Sequence, residues 1–209
     1  MKERPIIFNG EMIRSLLDGR KTQTRRIVKG MALEWLSDQV GFSPAFVADK
    51  DNNLCPYGQP SDRLWVRETF ALERQVDADQ LPPFTDGRPL KQDDDRSCWV
   101  QSHYRATDPT PELAYEYGRD TDEPYVRWRP SIHMPRWASR ITLEITGVRL
   151  EHLKDITRGD AMAEGCPFPN MAKGDDPRDW FGMIWESIHG HGSWDANPFV
   201  WVIKFKRLK

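Results

Sequence analysis

The feature that most constrains the fold of this chain is its last apolar segment, residues 198–206, which reads PFVWVIKFK. Aromatic and β-branched side chains fill most of its positions, and these residue types favour strands. Its alternate positions form two sets, Phe199, Trp201, Ile203 and Phe205 on one side and Val200, Val202 and Lys204 on the other. The segment therefore predicts a strand of the hydrophobic core.

Other segments predict further strands and three helices. Residues 22–28, 62–70 and 141–148 show the two-residue period of strands. The helices are predicted at 9–18, where Asn9 is the N-cap and Gly19 the exit, at 157–165, where Thr157 and Asp160 have capping-box spacing, and after Asp176, where Pro177 takes the first helical position.

These elements favour an α+β fold, in which a small mixed or antiparallel β-barrel carries short flanking helices. The length of 209 residues predicts a single domain, residues 1–209. Residues 71–136 contain the acidic run Asp93–Asp95 and few aliphatic side chains, which predicts a long insertion with a strand at 98–106. Within it, residues 71–97 are expected to be the least regular part of the chain.

Composition excludes several classes of protein. Lys and Arg total 30 and Asp and Glu total 32, so the net charge of −2 excludes a histone-like polycation but allows a local basic face. No apolar run has the ~20 residues that a membrane span needs, and no signal peptide is evident. Three widely spaced cysteines favour the cytoplasm. The pair His189 and His191 lacks partner ligands, so neither a metal nor a cofactor is expected.

The segment of residues 17–26, LDGRKTQTRR, is the most informative for function. Its glycine turn brings Lys21 near the start of a strand, and Thr24 and Arg26 project from one face of that strand. A cation, a hydroxyl and a guanidinium therefore converge, which suits a phosphate or a nucleobase edge. Charge alone also fits a solvated basic strand start.

Residues Gly19–Arg26 resemble the G-x-K-x-x-x-x-R signature of the ASCH domain family, whose fold is a PUA-like barrel. Three further blocks follow in family order, at 61–67, 156–165 and 199–205, although Ser61 stands where the family more usually has Gly. The blocks at 55–60, 130–140 and 193–198 are similar to the larger phage and prophage branch of that family. Together the matching blocks cover about half of the chain, and their order supports the resemblance more than any one motif does.

One branch of the family comprises small bacterial N4-acetylcytidine amidohydrolases, and Lys21, Thr22, Thr24 and Arg26 match their motif. This chain is about twice as long as those enzymes. The resemblance implies a catalytic set of Lys21, Thr24 and Glu164, in which Glu164 follows from the alignment of the second helix. Thr24 would attack the acyl carbonyl, Lys21 would act as a base with a pKa lowered by nearby arginines, and Glu164 would protonate the departing amine or position the base.

The ligand of this site is expected to be a nucleoside or RNA. Ligand-binding residues are predicted at Arg20, Thr22, Arg26, Tyr57 and Trp194, of which the last two are loop aromatics able to stack on a base. Lys21, Thr24, Arg26 and Glu164 should line one concavity, with the Lys21 amine hydrogen-bonded to the Thr24 hydroxyl directly or through water. Two alternatives stay open: a non-catalytic RNA-binding module, and a ribonuclease, an activity reported for some members of the family.

Overall fold

The computed structural model describes residues 1–37, 41–75, 89–92, 99–109, 111, 127–168 and 176–208. These residues form a mixed α and β fold with two sheets and several short helices. The strands are β1 (Glu3–Ile7), β2 (Gln23–Ile27), β3 (Arg63–Arg67), β4 (Phe70–Gln75), β5 (Leu90–Gln92), β6 (Trp99–Tyr104), β7 (Thr142–His152) and β8 (Phe199–Arg207). The α-helices are α1 (Gly10–Leu17), α2 (Met31–Ser37), α3 (Pro44–Val47), α4 (Arg158–Ala163) and α5 (Pro177–His189). Single 3₁₀ turns cover Lys50–Asn52, Ser131–His133, Arg136–Ala138 and Leu153–Asp155.

One sheet has five strands, in the order β1-β3-β7-β8-β2. Strand β8 lies between β7 and β2 and pairs with both in antiparallel register. The other sheet has the order β4-β6-β5 and is also antiparallel. Neither sheet closes into a barrel among the described residues. The predicted mixture of strands and short helices is therefore present, whereas a PUA-like barrel remains a proposal.

The chain divides into two compact units, which we describe separately. The first unit contains Met1–Arg4, Ser15–Leu64 and Leu143–Leu208, and the second contains Pro5–Arg14 and Trp65–Thr142. None of the helices in the described part of either unit is long and apolar enough to cross a membrane.

In the first unit, β8 is the central core strand, as residues 198–206 predicted. Residues 200–203 are all buried, because β8 has a strand on each side and packing on both faces. One face packs under α4 and α5 in a cluster of Leu153, Ile156, Ala161, Phe181, Trp185, Val200 and Val202. Helix α5 contributes the buried Phe181 and Trp185 and the partly buried Trp180 to this cluster, whereas Ile188 near its end is exposed.

The predicted helix caps are formed. Asn9 Oδ1 accepts the Met12 N–H at 2.9 Å at the start of α1, and Gly19 leaves that helix with a φ of +75°. Thr157 and Asp160 form the capping box of α4. Helix α4 is shorter than predicted, because it ends at Ala163 and Glu164 is its C-cap. Asp176 caps α5 through the Arg178 N–H.

In the second unit, regular strands occupy part of the predicted insertion. Strand β6 corresponds to the strand predicted at 98–106, and β4 and β5 flank it. The strand predicted at 62–70 is divided, since β3 ends at Arg67 and β4 begins at Phe70. Asp93–Asp95 and most of residues 71–97 lie outside the described residues. The core of this unit packs Phe70 and Tyr104 against Met134 and Ala138.

Candidate functional site

Backbone hydrogen bonds place the end of α4 beside the start of β2. The Arg20 and Lys21 N–H groups both bond to the Ser15 carbonyl, at 2.9 and 3.0 Å, as the chain leaves α1. Lys21 then forms an antiparallel bridge with Glu164, and the Thr22 N–H donates to the Ala163 carbonyl at 2.8 Å. This pairing brings two segments separated by more than a hundred residues into direct contact.

Lys21 and Glu164 form a buried ion pair at this point. Lys21 Nζ donates to Glu164 Oε2 at 2.8 Å and to the Glu164 carbonyl at 3.0 Å. The two side chains are only 1% and 4% exposed. Burial lowers the pKa of Lys21, and this effect exceeds the opposing influence of Glu164. Arg26 and Arg25 lower the pKa of Lys21 further. The expected direction is therefore present, but its main cause is burial and not the neighbouring arginines.

Thr24 is completely buried, and its hydroxyl makes no hydrogen bond to any described residue. A direct hydrogen bond from Lys21 to Thr24 is therefore not formed, which corrects that part of the prediction. The register explains why, because Lys21 and Arg25 both reach Glu164 while Thr24 pairs across from Ile203, on the opposite face of β2 from Arg25. A contact through water stays a prediction.

Arg26 shares the Thr24 face of β2 and interacts with Tyr57. Its Nη1 donates to the Arg25 carbonyl at 3.1 Å, and its charge interacts through space with Lys21 and Glu164. Burial lowers the pKa of Arg26, against the influence of Tyr57. Burial raises the pKa of Tyr57, against the influence of Arg26. The half-buried Arg26 and Tyr57 thus combine a cation and an aromatic ring near the buried ion pair.

The other predicted ligand residues are Arg20, Thr22 and Trp194, and two of them contact neighbouring residues of the protein. Arg20 Nη1 donates to the Gly165 carbonyl at 2.6 Å, and its Nη2 lies 2.8 Å from Asp18 Oδ2. The Thr22 side chain is exposed. Trp194 was expected to be a loop aromatic open to a base, but its ring is partly buried and packs against α5, 6.1 Å from the Phe181 ring. A ligand role for these three residues stays a prediction.

Arg25 is a central residue of the site that no sequence motif indicates. Its side chain is fully buried, and its Nη1 lies 3.1 Å from Glu164 Oε1. Its Nη2 lies 2.6 Å from Glu151 Oε1 and 3.5 Å from Asp160 Oδ2. Arg149 joins the same carboxylates, at 2.8 Å from Glu151 and 3.0 Å from Asp160. We call this group the ion network, and it consists of Lys21, Arg25, Arg149, Glu151, Asp160 and Glu164.

No local sequence signal could have identified the whole network. Strand period placed Arg25 on the face opposite Thr24, and a basic residue in a basic segment is usually solvated. Its partner Glu151 belongs to β7, which lies 126 residues further along the chain. Only the pairing of β7 with β8 and of β8 with β2 brings these charges together.

The two histidines near the end of α5 lie in different surroundings. His189 stacks on Trp185 with ring centroids 4.2 Å apart, and partial burial lowers its pKa, with Arg26 and Lys29 acting in the same direction. His191 is exposed. Across the described ranges, no three His, Cys, Asp or Glu side chains are placed to hold a metal ion.

This arrangement is suited to moving protons in a site shielded from water. A buried lysine with a lowered pKa can act as a base near neutral pH, and an adjacent carboxylate can orient it or exchange a proton with it. Comparison with known proteins gave no match to a family model, a curated protein or a solved structure. Any assignment of function therefore depends on the residues themselves.

Proposed function

We propose that this protein is an amidohydrolase that removes the acyl group from an N4-acylated cytidine, within an ASCH-type, PUA-like fold of the larger phage and prophage branch. The observation that carries the proposal is the buried contact of 2.8 Å between Lys21 Nζ and Glu164 Oε2. These two residues and the unbonded hydroxyl of Thr24 are the three that the family resemblance implies. A cytoplasmic location is proposed with it, in keeping with the free buried thiols of Cys55 and Cys166.

The first step forms an acyl ester on Thr24. Neutral Lys21 accepts the proton of the Thr24 hydroxyl through a water, and the Oγ1 atom bonds to the acyl carbon. The bond between that carbon and N4 then breaks, and N4 takes the proton from Lys21, directly or through Glu164. The cytidine leaves with a free amino group, and the acyl group remains on Thr24.

The second step regenerates the enzyme. A water molecule gives one proton to neutral Lys21, and its oxygen adds to the ester carbon. The ester bond to Thr24 breaks, Oγ1 recovers a proton from Lys21, and the carboxylic acid leaves and ionises. Each step requires a neutral lysine amine, which is the form that burial of Lys21 favours.

Arg26 and Tyr57 are the proposed contacts for the nucleoside. A guanidinium can donate to the carbonyl of a pyrimidine edge, and an aromatic ring can stack on the base. Lys21 and Thr24 are almost completely buried. A substrate therefore reaches them only when neighbouring side chains move, and Arg26 and Tyr57 are the half-buried side chains assigned this movement.

The test is incubation of the purified protein with a panel of N-acylated nucleosides, with released nucleoside measured by mass spectrometry. Wild type should deacylate N4-acetylcytidine, and Thr24→Val should reduce kcat by at least about a hundredfold, because the nucleophile is lost while the shape is kept. Thr146→Val is the matched control, since Thr146 is an exposed threonine on β7 with no assigned role in the site. A Thr24→Val enzyme with the wild-type rate would remove Thr24 from the mechanism.

A non-catalytic RNA-binding module is the second candidate, and the proximity of Arg26 and Tyr57 favours it, since a cation beside a ring is a common nucleotide contact. For a binder, Thr24→Val should leave RNA affinity unchanged, and Arg26→Gln should weaken it in a salt-dependent manner. Cleavage of the RNA by wild type and by Thr24→Val, but not by Lys21→Met, would indicate a ribonuclease instead.

A further inference from the structure

The Glu164 carboxylate is shared between two cations that approach different oxygens. Lys21 Nζ is 2.8 Å from Oε2, and Arg25 Nη1 is 3.1 Å from Oε1. All three side chains are at most 4% exposed, so solvent contributes little to their stabilisation. If either cation lost its charge, Glu164 would keep the other as a close ionic partner. The properties of the site therefore depend on which of the two cations stays charged.

Arg25 is the cation that is better held. Its other guanidinium nitrogen lies 2.6 Å from Glu151, and its charged end lies over the Phe181 ring at 5.7 Å. An arginine has a planar group that keeps its charge when buried, whereas a lysine gives up its proton readily under the same conditions. The paired position of Glu164 therefore does not depend on the proton of Lys21.

We infer that Arg25 is a positioning residue that holds the Glu164 carboxylate in place, and that this contact allows Lys21 to exist as a neutral amine. The contacts of the ion network support this assignment. When Lys21 is neutral, Arg25 still contacts Glu164, Glu151 and Asp160, so the Glu164 carboxylate keeps a close cation. The role in catalysis depends on the proposed function, but the effect of Arg25 on Lys21 does not.

Two effects of Arg25 on Lys21 act in the same direction. The guanidinium repels a second positive charge nearby, and it satisfies the carboxylate that would otherwise require an ammonium. Among the described residues, other charged groups that act on Lys21 include Glu164, from the C-cap of α4, and Arg26, from β2. Removal of Arg25 should therefore raise the pKa of Lys21, while Arg26 continues to lower it.

The experiment is an NMR titration of the full chain, labelled with ¹³C at the lysine side chains and measured without substrate. The Lys21 signal is assigned by its loss in Lys21→Met. In Arg25→Met the titration midpoint of Lys21 should rise by about one pH unit or more. In Arg25→Lys, which keeps the charge, the midpoint should rise by clearly less. An unchanged midpoint in Arg25→Met would overturn the inference.

A second variant decides the question if Arg25→Met does not fold. Glu151→Gln is nearly isosteric and removes the closest carboxylate of Arg25, so the Arg25 charge acts more strongly on Glu164 and Lys21. The midpoint of Lys21 should then fall, and no change or a rise would contradict the inference. Glu144→Gln is the control, because Glu144 lies on the same strand and pairs with the exposed Lys206.

Kinetics separate this inference from the proposed function. If wild type deacylates a nucleoside, the acidic limb of kcat/KM should move in Arg25→Met by the same amount as the NMR midpoint, with KM little changed. If the midpoint moves but wild type deacylates nothing, the role of Arg25 stands and the proposed function fails. If wild type is active and the Lys21 midpoint is unchanged in Arg25→Met, the proposed function stands and the role of Arg25 fails.

Discussion

At the scale of single residues, the strongest constraint on this protein is the burial of charge at the start of β2. A lysine amine removed from water loses several kcal/mol of hydration, and only a close anion with good geometry recovers most of it. Lys21 has this partner in Glu164 at 2.8 Å. The pair is therefore expensive to disturb, whether or not it takes part in a reaction.

Glu164→Gln should destabilise the protein by about 3 kcal/mol at neutral pH, because it leaves Lys21 and Arg25 without their shared carboxylate. Urea unfolding measures the change. The double variant Lys21→Met with Glu164→Gln should recover part of the loss. Glu144→Gln breaks a partly exposed pair and should cost less than about 1 kcal/mol. Equal losses of stability in Glu164→Gln and Glu144→Gln would contradict the burial of the Lys21–Glu164 pair.

Thr24→Val should leave the stability unchanged or raise it by about 1 kcal/mol, since it replaces a buried hydroxyl that has no hydrogen bond to a described residue with a methyl group of similar size. The measurement is the free energy of unfolding, with Thr22→Val as the exposed control. A marked loss of stability would show that the hydroxyl has a structural partner. Increased stability together with lost deacylation would indicate that the hydroxyl is kept for function.

At the scale of elements, the site depends on how α4 ends. The capping box of Thr157 and Asp160 fixes the start of this short helix, and Glu164 closes it as the C-cap. Gly165 then turns away with a φ of +107°, close against α1 and Lys21. This exit allows the end of α4 to pair with the start of β2.

Gly165→Ala should destabilise the protein by at least about 2 kcal/mol, because the positive φ strains any L side chain and the new Cβ would lie 2.8 Å from the Ser15 Cβ. Gly190→Ala is the matched control, since Gly190 has a similar φ of +94° and nothing within 4 Å of a built Cβ. Thermal unfolding of the two variants separates the cost of contact from the cost of backbone strain. Equal losses would show that α1 can move away.

At the scale of the whole molecule, the two units have different kinds of interior. The first unit has the six residues of the ion network around β2, α4 and β7, together with an apolar core. The second unit buries its own pair, in which Arg140 donates to both oxygens of Glu68 at 2.9 Å. Burial raises the pKa of Glu68, whereas partners lower the pKa of Asp160 to about 2. The stability of the two units should therefore respond differently to a fall in pH.

The ion network should contribute to stability against acid through Asp160. Its folded pKa of about 2 lies below the ordinary value of 3.8, so its contribution is complete above pH 3.8 and is lost as the pH falls through 2. After allowance for solvent at this partly exposed carboxylate, the contribution is about 1 to 2 kcal/mol. The difference in unfolding free energy between wild type and Asp160→Asn should shrink by this amount from pH 5 to pH 2, and a constant difference would contradict it.

Much of the fold follows from local patterns that any reader of the sequence can evaluate. The central strand β8, the caps of α1, α4 and α5, and the turn at Gly19 were all predictable, because their signals lie within a few residues of each other. Strand β1 and helices α2 and α3 were not predicted. The segments of α2 and α3 are short, and their apolar side chains Met31, Leu33 and Phe46 are exposed, so no buried stripe marks them.

What the sequence by itself predicted is that the basic turn at Lys21 and the carboxylate of Glu164 share one site. What only the tertiary structure decided is the electrostatic state of that pair. The pairing of β2, β7 and β8, which are far apart in the chain, buries Lys21 and Glu164. The same pairing places Arg25 and Glu151 beside them. Local pattern cannot encode this, because the strength of an ionic contact depends on three-dimensional distance and on exclusion of water, and both arise only when the strands have paired.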